Sequence, residues 1–137
     1  MVGGDDRIDE MKQKVVQGDA FKIGNLNVQC LATPCHTTGH ICFYVTDSDG
    51  TSKAVFTGDT LFLGGCGRFF EGDAIQMNEA LNVKLASLPD ETVGLYQNYQ
   101  LMRRKFQIKS KLIFDRKIHT SWKWGITSTN QCENLLY

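Results

Sequence analysis

Two side chains with metal-binding chemistry, His36 and Asp59, each follow an apolar segment of the chain. His36 lies in Thr33-Pro34-Cys35-His36-Thr37-Thr38-Gly39-His40, and Asp59 lies in Thr57-Gly58-Asp59-Thr60-Leu61-Phe62. An imidazole nitrogen suits zinc or iron, and an ionised carboxylate has two oxygens that can bridge two cations. The pattern therefore makes His36 and Asp59 candidate metal ligands, held where two strands end.

Histidines are few in this chain. The chain has three histidines, His36, His40 and His119, and no His-x-His pair. Considered singly, His36 is also explained as a hydrogen-bonded surface histidine and Asp59 as a turn residue. Cys35 suggests a further ligand or a nucleophile, but a packed thiol is the favoured interpretation. Five cysteines without framework spacing are typical of reduced intracellular thiols.

The elements that position these residues are predicted as strands and turns. Alternating apolar and polar residues on both sides of Gly24-Asn25 predict a hairpin. Two runs of β-forming residues, 41–45 and 54–56, predict strands that flank a turn at 47–50.

Two helices are also predicted. The first is a short helix with apolar residues at helical spacing, namely Ile8, Met11 and Val15. The second begins at Asp73, with Gln76 placed to complete a capping box, and ends before Pro89. Its apolar face consists of Ala74, Met77, Leu81, Leu85 and Leu88.

These motifs resemble the glyoxalase II (hydroxyacylglutathione hydrolase) family of the metallo-β-lactamase superfamily. Besides the His36 and Asp59 motifs, the similar text includes Gly3-Gly4-Asp5-Asp6-Arg7, Leu26-Asn27-Val28, Gly65-Cys66-Gly67-Arg68-Phe69-Phe70-Glu71-Gly72 and Leu88-Pro89-Asp90-Glu91-Thr92. The resemblance covers residues 3–92. The loop 65–72 is the part that distinguishes this family within the superfamily.

The resemblance implies an α/β fold that is part of an αββα sandwich, roughly its middle portion. It implies metal-dependent hydrolysis of the thioester S-D-lactoylglutathione to D-lactate and glutathione. In the family, the residue matching His36 binds one metal ion and the residue matching Asp59 bridges two, either zinc alone or zinc with iron. Asp59 is therefore the expected catalytic residue, whereas His40 matches a supporting residue that does not bind the metal.

The resemblance also assigns the substrate contacts. Arg68, Phe69 and Phe70 lie in the glycine-rich loop where the family holds the glutathione thioester. Family members commonly have tyrosine where this chain has Phe70, so one substrate hydrogen bond is lost. Glu71 is expected to cap or to pair with Arg68. The alternative for this loop is a glycine turn with Arg68 in solvent and both phenylalanines in the core.

Two parts of the family pattern have no counterpart in this chain. One is an upstream Thr-His-x-His-x-Asp-His block, and the other is a Gly-His-Glu-Tyr segment after Thr92. We therefore expect an N-terminally truncated, C-terminally altered chain with impaired activity. A non-catalytic fragment or glutathione-binding module is the alternative. A persulfide dioxygenase with one iron is a further alternative, against which the loop 65–72 argues.

The composition changes at residue 92. Residues 1–92 contain 7 Lys/Arg and 13 Asp/Glu, whereas residues 93–137 contain 8 and 2. We predict a partial metallo-β-lactamase-like domain at 1–92 and a divergent basic tail at 93–137, poorly ordered and without its own core. A basic nucleic-acid patch in this tail, with Trp122 and Trp124 as stacking groups, is the less favoured interpretation.

Charge and hydropathy indicate the partners. The net charge is zero, which gives no overall reason for nucleic-acid or membrane binding, and no apolar run approaches a membrane span of about 20 residues. We predict a cytoplasmic location, with a mitochondrial form of the parent protein as the alternative. Because half of the sandwich is missing, we also expect self-association through uncovered sheet surface.

Overall fold

The computed structural model describes residues 1–62, 65–98 and 101–107, with backbone alone for 97–98 and 101–107. The strands in these ranges are β1 (Val2–Gly3), β2 (Gln13–Lys14), β3 (Ala20–Ile23), β4 (Leu26–Ala32), β5 (Ile41–Thr46), β6 (Lys53–Phe56), β7 (Val93–Asn98) and β8 (Leu101–Gln107). β1 and β2 form a small parallel pair. The other six form one sheet in the order β3-β4-β5-β6-β7-β8, antiparallel except for the parallel pair β6 and β7.

Both predicted turns are confirmed. Ile23 pairs with Leu26, so β3 and β4 are joined by the two residues Gly24 and Asn25. Gly24 has a φ of +58°, which glycine adopts without the strain that a Cβ brings. Between β5 and β6, the Asp47 carboxylate accepts a hydrogen bond of 2.9 Å from the Ser52 amide and closes the second turn.

The helical segment covers one face of the sheet. It begins as α1 (Ala74–Asn78), continues as a π-helical stretch (Glu79–Lys84) and ends as a 3₁₀ turn (Leu85–Ser87). The predicted capping box between Asp73 and Gln76 is present in both directions. Leu88 is extended, with ψ at 151°, because the residue before a proline disfavours helical backbone.

Strand and helix side chains meet in one core cluster. Its buried members are Leu31, Cys42, Val55, Leu61, Leu85 and Leu88. Met77 is also buried, but Ala74, which the pattern placed on the same apolar face, is exposed. The cluster fixes the helical segment against β4, β5 and β6, whose ends carry the candidate ligands.

The opposite face of the sheet is apolar and less covered. Strand side chains alternate between faces, so Phe56 points away from the core that its neighbour Val55 enters. Phe56 pairs in register with Phe43 on β5, and its side chain is 42% exposed. Phe43 in turn makes an edge contact with Phe21 on β3, at 6.4 Å between ring centroids. Phenylalanines from β3, β5 and β6 therefore lie on this face, and that of β6 is exposed.

The prediction of a helix after Asp5-Asp6 is wrong. The Asp5 carboxylate accepts a hydrogen bond from the Arg7 amide, and the Asp5 carbonyl accepts one from Ile8, so the chain makes a turn here. Glu10 has a φ of 56°, which no right-handed helix includes. Competition from a short side-chain acceptor explains why helical spacing failed to give a helix.

Two strands, β7 and β8, lie in the first part of the predicted tail. β7 pairs in parallel with β6, and β8 pairs with β7. The edge of β6 presents backbone groups that need partners, and the backbone of β7 provides them. Residues 108–137, with His119, Trp122 and Trp124, lie outside the described residues. The domain boundary at residue 92 stays a prediction.

Candidate functional site

His36 and Asp59 face each other at one end of the main sheet. β4 and β6 both run antiparallel to β5, which lies between them, so the C-terminal ends of β4 and β6 lie at the same edge. His36 is in the loop after β4, and Asp59 is in the turn after β6. The two side chains approach to 3.6 Å between Nε2 of His36 and Oδ2 of Asp59. The structure therefore brings together the two residues predicted to bind a metal ion.

The His36 ring is oriented by the glycine-rich loop. Its Nδ1 donates a hydrogen bond of 2.8 Å to the carbonyl oxygen of Arg68. A carbonyl oxygen only accepts, so the proton lies on Nδ1. The lone pair of Nε2 then points towards Asp59. This is how metal-binding histidines are commonly held, with one nitrogen fixed by a protein acceptor.

Gly67 fits closely between the two candidate ligands. Its amide donates a hydrogen bond of 2.7 Å to the Asp59 carbonyl oxygen. A Cβ at position 67 would overlap that oxygen and would lie 2.8 Å from Nδ1 of His36. Only glycine therefore allows the loop to approach His36 and Asp59 so closely.

His40 supports Asp59 from the protein side. Its Nε2 accepts a hydrogen bond of 3.2 Å from the Asp59 amide, so its proton lies on Nδ1, which is 2.8 Å from the Thr33 hydroxyl. Burial lowers the pKa of His40 from its usual range, which favours the neutral ring. His40 thus makes the kind of supporting hydrogen bond that the resemblance implied.

A buried polar network behind His40 was not anticipated from the sequence. The Thr60 hydroxyl donates to the Thr33 hydroxyl over 2.9 Å, and Thr33 lies 3.3 Å from the sulfur of Cys42. Burial raises the pKa of the Cys42 thiol, which keeps it protonated. The only signal in the sequence was the recurrence of threonine in both motifs.

Cys35 is a packed thiol. Its side chain is buried, and the thiol donates to the carbonyl oxygen of Asp73 over 3.3 Å. Burial raises its pKa, whereas a nucleophile or ligand requires the thiolate. The interpretation of Cys35 as a packed residue is therefore the one that the structure favours.

The predicted substrate residues surround the exposed side of His36. The Arg68 guanidinium lies 5.2 Å from the centre of the Phe70 ring. Phe70 is in turn 5.1 Å from the His36 ring, edge to face. Phe69 is partly buried, but Phe70 is 62% exposed, so the alternative with both phenylalanines in the core is wrong. Gly64 of the same loop lies outside the described residues.

Glu71 pairs with Arg7 and not with Arg68. The two oxygens of Glu71 accept hydrogen bonds of 2.6 and 2.9 Å from the Arg7 guanidinium. Hydrogen bonding from Arg7 lowers the pKa of Glu71 to about 2. The expectation for Glu71 was wrong because Arg7 is brought to it from a segment 64 residues away.

The described residues supply part of a metal site. His36 and Asp59 fit the donor chemistry of zinc or iron, with a nitrogen lone pair and a carboxylate oxygen facing the same space. Within residues 1–62, 65–98 and 101–107, no cluster has three or more His, Cys, Asp or Glu residues able to hold an ion. Because a closed zinc site takes about four ligands, this pair does not hold an ion tightly by itself.

The chain is similar to known proteins over part of its length. No family model matches it. It is 61% identical over 75 residues to a probable hydroxyacylglutathione hydrolase, glo2, of Schizosaccharomyces pombe, a match that spans 55% of this chain and 28% of the relative. It is 50% identical over 91 residues to the cytoplasmic hydroxyacylglutathione hydrolase of Arabidopsis thaliana, spanning 66% of this chain and 35% of the relative. The chain thus spans about a third of the length of these relatives.

Solved structures agree with these relatives. ETHE1 from Myxococcus xanthus superposes with a TM-score of 0.66 and 34% identity, over 80% of this chain and 47% of that one. TTHA1623, solved in a di-iron-bound form, has a TM-score of 0.51 and 28% identity, over 70% of this chain and 43% of that one. Solved metallo-β-lactamases are further neighbours, such as that of Staphylococcus aureus at a TM-score of 0.58 and 24% identity, over 69% of this chain and 31% of that one.

The described chain therefore has the fold of the metallo-β-lactamase proteins, for part of their domain. Neighbours of this fold imply a metal cofactor. Over a partial segment, the sequence is 48–61% identical to proteins named as hydroxyacylglutathione hydrolases, the glyoxalase II family. The family resemblance and the fold class predicted from the sequence are both confirmed. No helix in the part of the chain that the structure describes is long and apolar enough to cross a membrane.

Proposed function

We propose that this chain carries the His36–Asp59 part of the active site of a glutathione thioester hydrolase. The observation that supports this most directly is the 3.6 Å approach of Nε2 of His36 to Oδ2 of Asp59. The approach lies in a segment that is about half identical to named hydroxyacylglutathione hydrolases. Neither the similarity nor the geometry would carry the proposal alone, but both point to the same two side chains.

Zinc is the proposed metal, with His36 and Asp59 as two of its ligands. A metal ion in such a site supplies a Lewis acid for the thioester carbonyl and lowers the pKa of water. The protein's part is to orient the His36 ring, which the hydrogen bond from Nδ1 to the Arg68 carbonyl oxygen does, so that Nε2 faces the Asp59 carboxylate. With two ligands, we expect this chain to bind zinc weakly and at less than one ion per chain.

The proposed substrate is S-D-lactoylglutathione or a similar thioester of glutathione. Arg68 offers a forked cation to a glutathione carboxylate, and its guanidinium is exposed beside Phe70. Phe70 and the partly buried Phe69 form an apolar wall close to the His36 ring. Substrate bound by Arg68 would therefore lie next to the candidate ligands. Asp59 is the residue whose loss should stop the reaction.

The test is a chimera in which the matching segment of this chain replaces that of the Schizosaccharomyces pombe relative. We expect the chimera to hydrolyse S-D-lactoylglutathione and the 137-residue chain alone to show negligible turnover. In the chimera, Asp59→Ala should abolish turnover, because it removes a ligand. Arg68→Ala should mainly raise KM, because it removes a contact that substrate and transition state share.

Two outcomes would contradict this proposal. An inactive chimera that folds and binds zinc like the relative would show that residues of this chain do not support the reaction. Robust turnover by the chain alone, lost in His36→Ala, would show that a complete site forms from other residues. The variant Ile75→Ala is the control, because the Ile75 side chain is 79% exposed and lies on α1, outside the loop 65–72.

A glutathione-binding module without catalysis is the second candidate. It is favoured by the exposed Arg68 close to a site for which the described part of the chain supplies two potential ligands. This candidate predicts that the chain alone binds glutathione, that Arg68→Ala weakens binding and that His36→Ala does not. Calorimetric titration with glutathione tests this candidate. Glutathione binding that also requires zinc would contradict it.

Two further proposals concern assembly and location. The apolar face that contains Phe43 and Phe56 supports self-association through uncovered sheet surface, since exposed apolar surface across several strands favours pairing. We also propose a cytoplasmic location, as the Arabidopsis thaliana relative is named cytoplasmic. Size-exclusion chromatography and fractionation of cells test these two proposals separately.

A further inference from the structure

The N-terminal motif that includes Asp5 and Arg7 has no role in the site described so far. In the structure, Arg7 lies between two carboxylates. Its Nη2 is 2.5 Å from Oδ2 of Asp5, and its Nη1 is 2.6 Å from Oε1 of Glu71. Asp5 also accepts from the Arg7 amide and from Nε, each over 2.9 Å. Asp5 therefore orients the guanidinium, whose Nη1 and Nη2 donate to Glu71.

Glu71 holds the loop of His36 at two points. Its Oε2 accepts a hydrogen bond of 2.6 Å from the amide of Thr38, two residues after His36. Its own amide donates a hydrogen bond of 3.2 Å to the carbonyl oxygen of Cys35, one residue before His36. His36 thus lies between two backbone groups that are bound to the same glutamate.

The N-terminal segment also packs against this loop through glycines. A Cβ at Gly4 would lie 2.5 Å from the carbonyl oxygen of Gly39, and a Cβ at Gly39 would lie 2.5 Å from Cβ of Asp5. Side chains at either position would push the two segments apart. The close approach places Arg7 within reach of Glu71, and the ion pair then connects three separate stretches of chain.

We propose that Arg7 and Glu71 are positioning residues, which hold the loop 35–39 so that Nε2 of His36 faces Asp59. The inference rests on the proposed role of His36 as a ligand. Exposed ion pairs contribute little to global stability, so the expected effect is on the loop and not on the whole fold. Charge-assisted hydrogen bonds to a backbone amide fix a loop locally, which is what a ligand in a loop requires.

The test measures zinc affinity and loop protection in the full chain. Zinc is titrated while the His36 ring is followed by NMR, and exchange of the Thr38 amide is measured in the same samples. Glu71→Ala and Arg7→Ala should each weaken zinc binding about 10-fold, the lower end of what loss of a ligand-orienting partner costs. Thr38 exchange should be faster in Glu71→Ala. Glu71→Gln keeps an acceptor for Thr38 and should lie between wild type and Glu71→Ala.

A matched control separates positioning from stability. Glu91 is another glutamate in an exposed ion pair, with Lys53 at 2.6 Å, and lies in a different part of the chain. Glu91→Ala should shift the melting temperature as much as Glu71→Ala does, without changing zinc affinity or Thr38 exchange. If Glu71→Ala fails to fold, Glu91→Ala is compared with Glu71→Gln and Arg7→Ala instead.

The outcomes distinguish this inference from the function on which it rests. In one outcome, His36→Ala weakens zinc binding, but the variants of Glu71 and Arg7 bind zinc as wild type does. The proposed positioning role is then wrong, and the proposed site stands. If His36→Ala binds zinc as wild type does, the proposed site is wrong. In that case Thr38 exchange alone decides whether Glu71 holds the loop, and unchanged exchange would reject that as well.

Discussion

The amide of Gly67 donates a 2.7 Å hydrogen bond to the carbonyl oxygen of Asp59. The following residue, Arg68, accepts a hydrogen bond from Nδ1 of His36 through its carbonyl oxygen, so two adjacent residues of one loop contact both candidate ligands. The loop that the resemblance assigned to substrate therefore also helps to build the metal-binding pair. The proposed substrate contacts and the geometry of the two candidate ligands therefore depend on the same loop.

Gly67→Ala should destabilise the chain by about 1–3 kcal/mol, the usual cost of forcing a methyl group into a packed site. The added Cβ would overlap the Asp59 carbonyl oxygen and crowd Nδ1 of His36. Gly65→Ala is the control, since a Cβ there meets no described residue within 4 Å, and its effect should stay within about 0.5 kcal/mol. Urea unfolding of both variants measures the difference, and equal stability would contradict the close packing described for Gly67.

His40→Ala should cost about 1–3 kcal/mol for each buried group that it leaves without a partner. The Asp59 amide loses its acceptor, whereas the Thr33 hydroxyl loses the His40 ring but keeps Thr60 and Cys42 as partners. His36→Ala should cost less, because the His36 side chain is 21% exposed and its acceptor belongs to the exposed residue Arg68. Denaturant unfolding tests the order of the two variants. The reverse order would show that the network behind His40 contributes little.

Stability should rise with pH between about 2 and about 4.5, in part through Glu71. Hydrogen bonding from Arg7 lowers the folded-state pKa of Glu71 from 4.5 to about 2. In that window the unfolded state binds more protons than the folded state, so the contribution of Glu71 is present above it and is lost as pH falls through it. Glu71→Gln should reduce the slope of unfolding free energy against pH.

The matching control for the pH series is Asp47, whose pKa is also lowered to about 2, chiefly by the Ser52 amide. Asp47→Asn should reduce the slope in the same range without affecting Thr38 exchange. A slope that is unchanged in Glu71→Gln would show that the Arg7 pair does not persist in solution.

Phe56→Ser should reduce self-association, because it places a hydroxyl on the apolar sheet face that the helical segment leaves uncovered. Phe56 is 42% exposed, whereas Ile75, at 79%, lies on α1 and not on that face. Ile75→Ser is therefore the control for a general gain in solubility. Sedimentation velocity over a range of concentrations gives the distribution of species. Equal behaviour of the two variants would point to association through another surface.

Local signals in the sequence predicted much of the fold. The hairpin at Gly24 and Asn25 and the capping box of Asp73 with Gln76 depend on residues within a few positions of each other, and both are present. The helix predicted around Ile8 failed because the Asp5 carboxylate binds the Arg7 backbone and stops the helix at its first turn. The apolar residues there do follow helical spacing, but spacing alone does not reveal the Asp5 hydrogen bonds that compete with a helix.

The candidate site divides in the same way. The resemblance of the two motifs selected His36 and Asp59, since residue type alone also allows a hydrogen-bonded surface histidine and a turn aspartate. The pairing of Glu71 with Arg7 was beyond the sequence, because it joins residues 64 positions apart. The place of Phe70, exposed against the His36 ring, was likewise decided by the course of its loop.

The sequence by itself determined the chemistry available to this protein: the two candidate ligands, the forked cation of Arg68 and the turns that end the strands. These follow from residue type and from interactions over a few positions. The tertiary structure decided that Nε2 of His36 faces Asp59 and that Glu71 pairs with Arg7. It also decided which face of the sheet is less covered. Such relations depend on contacts between distant segments, which form only when apolar burial fixes the sheet and the helical segment against each other.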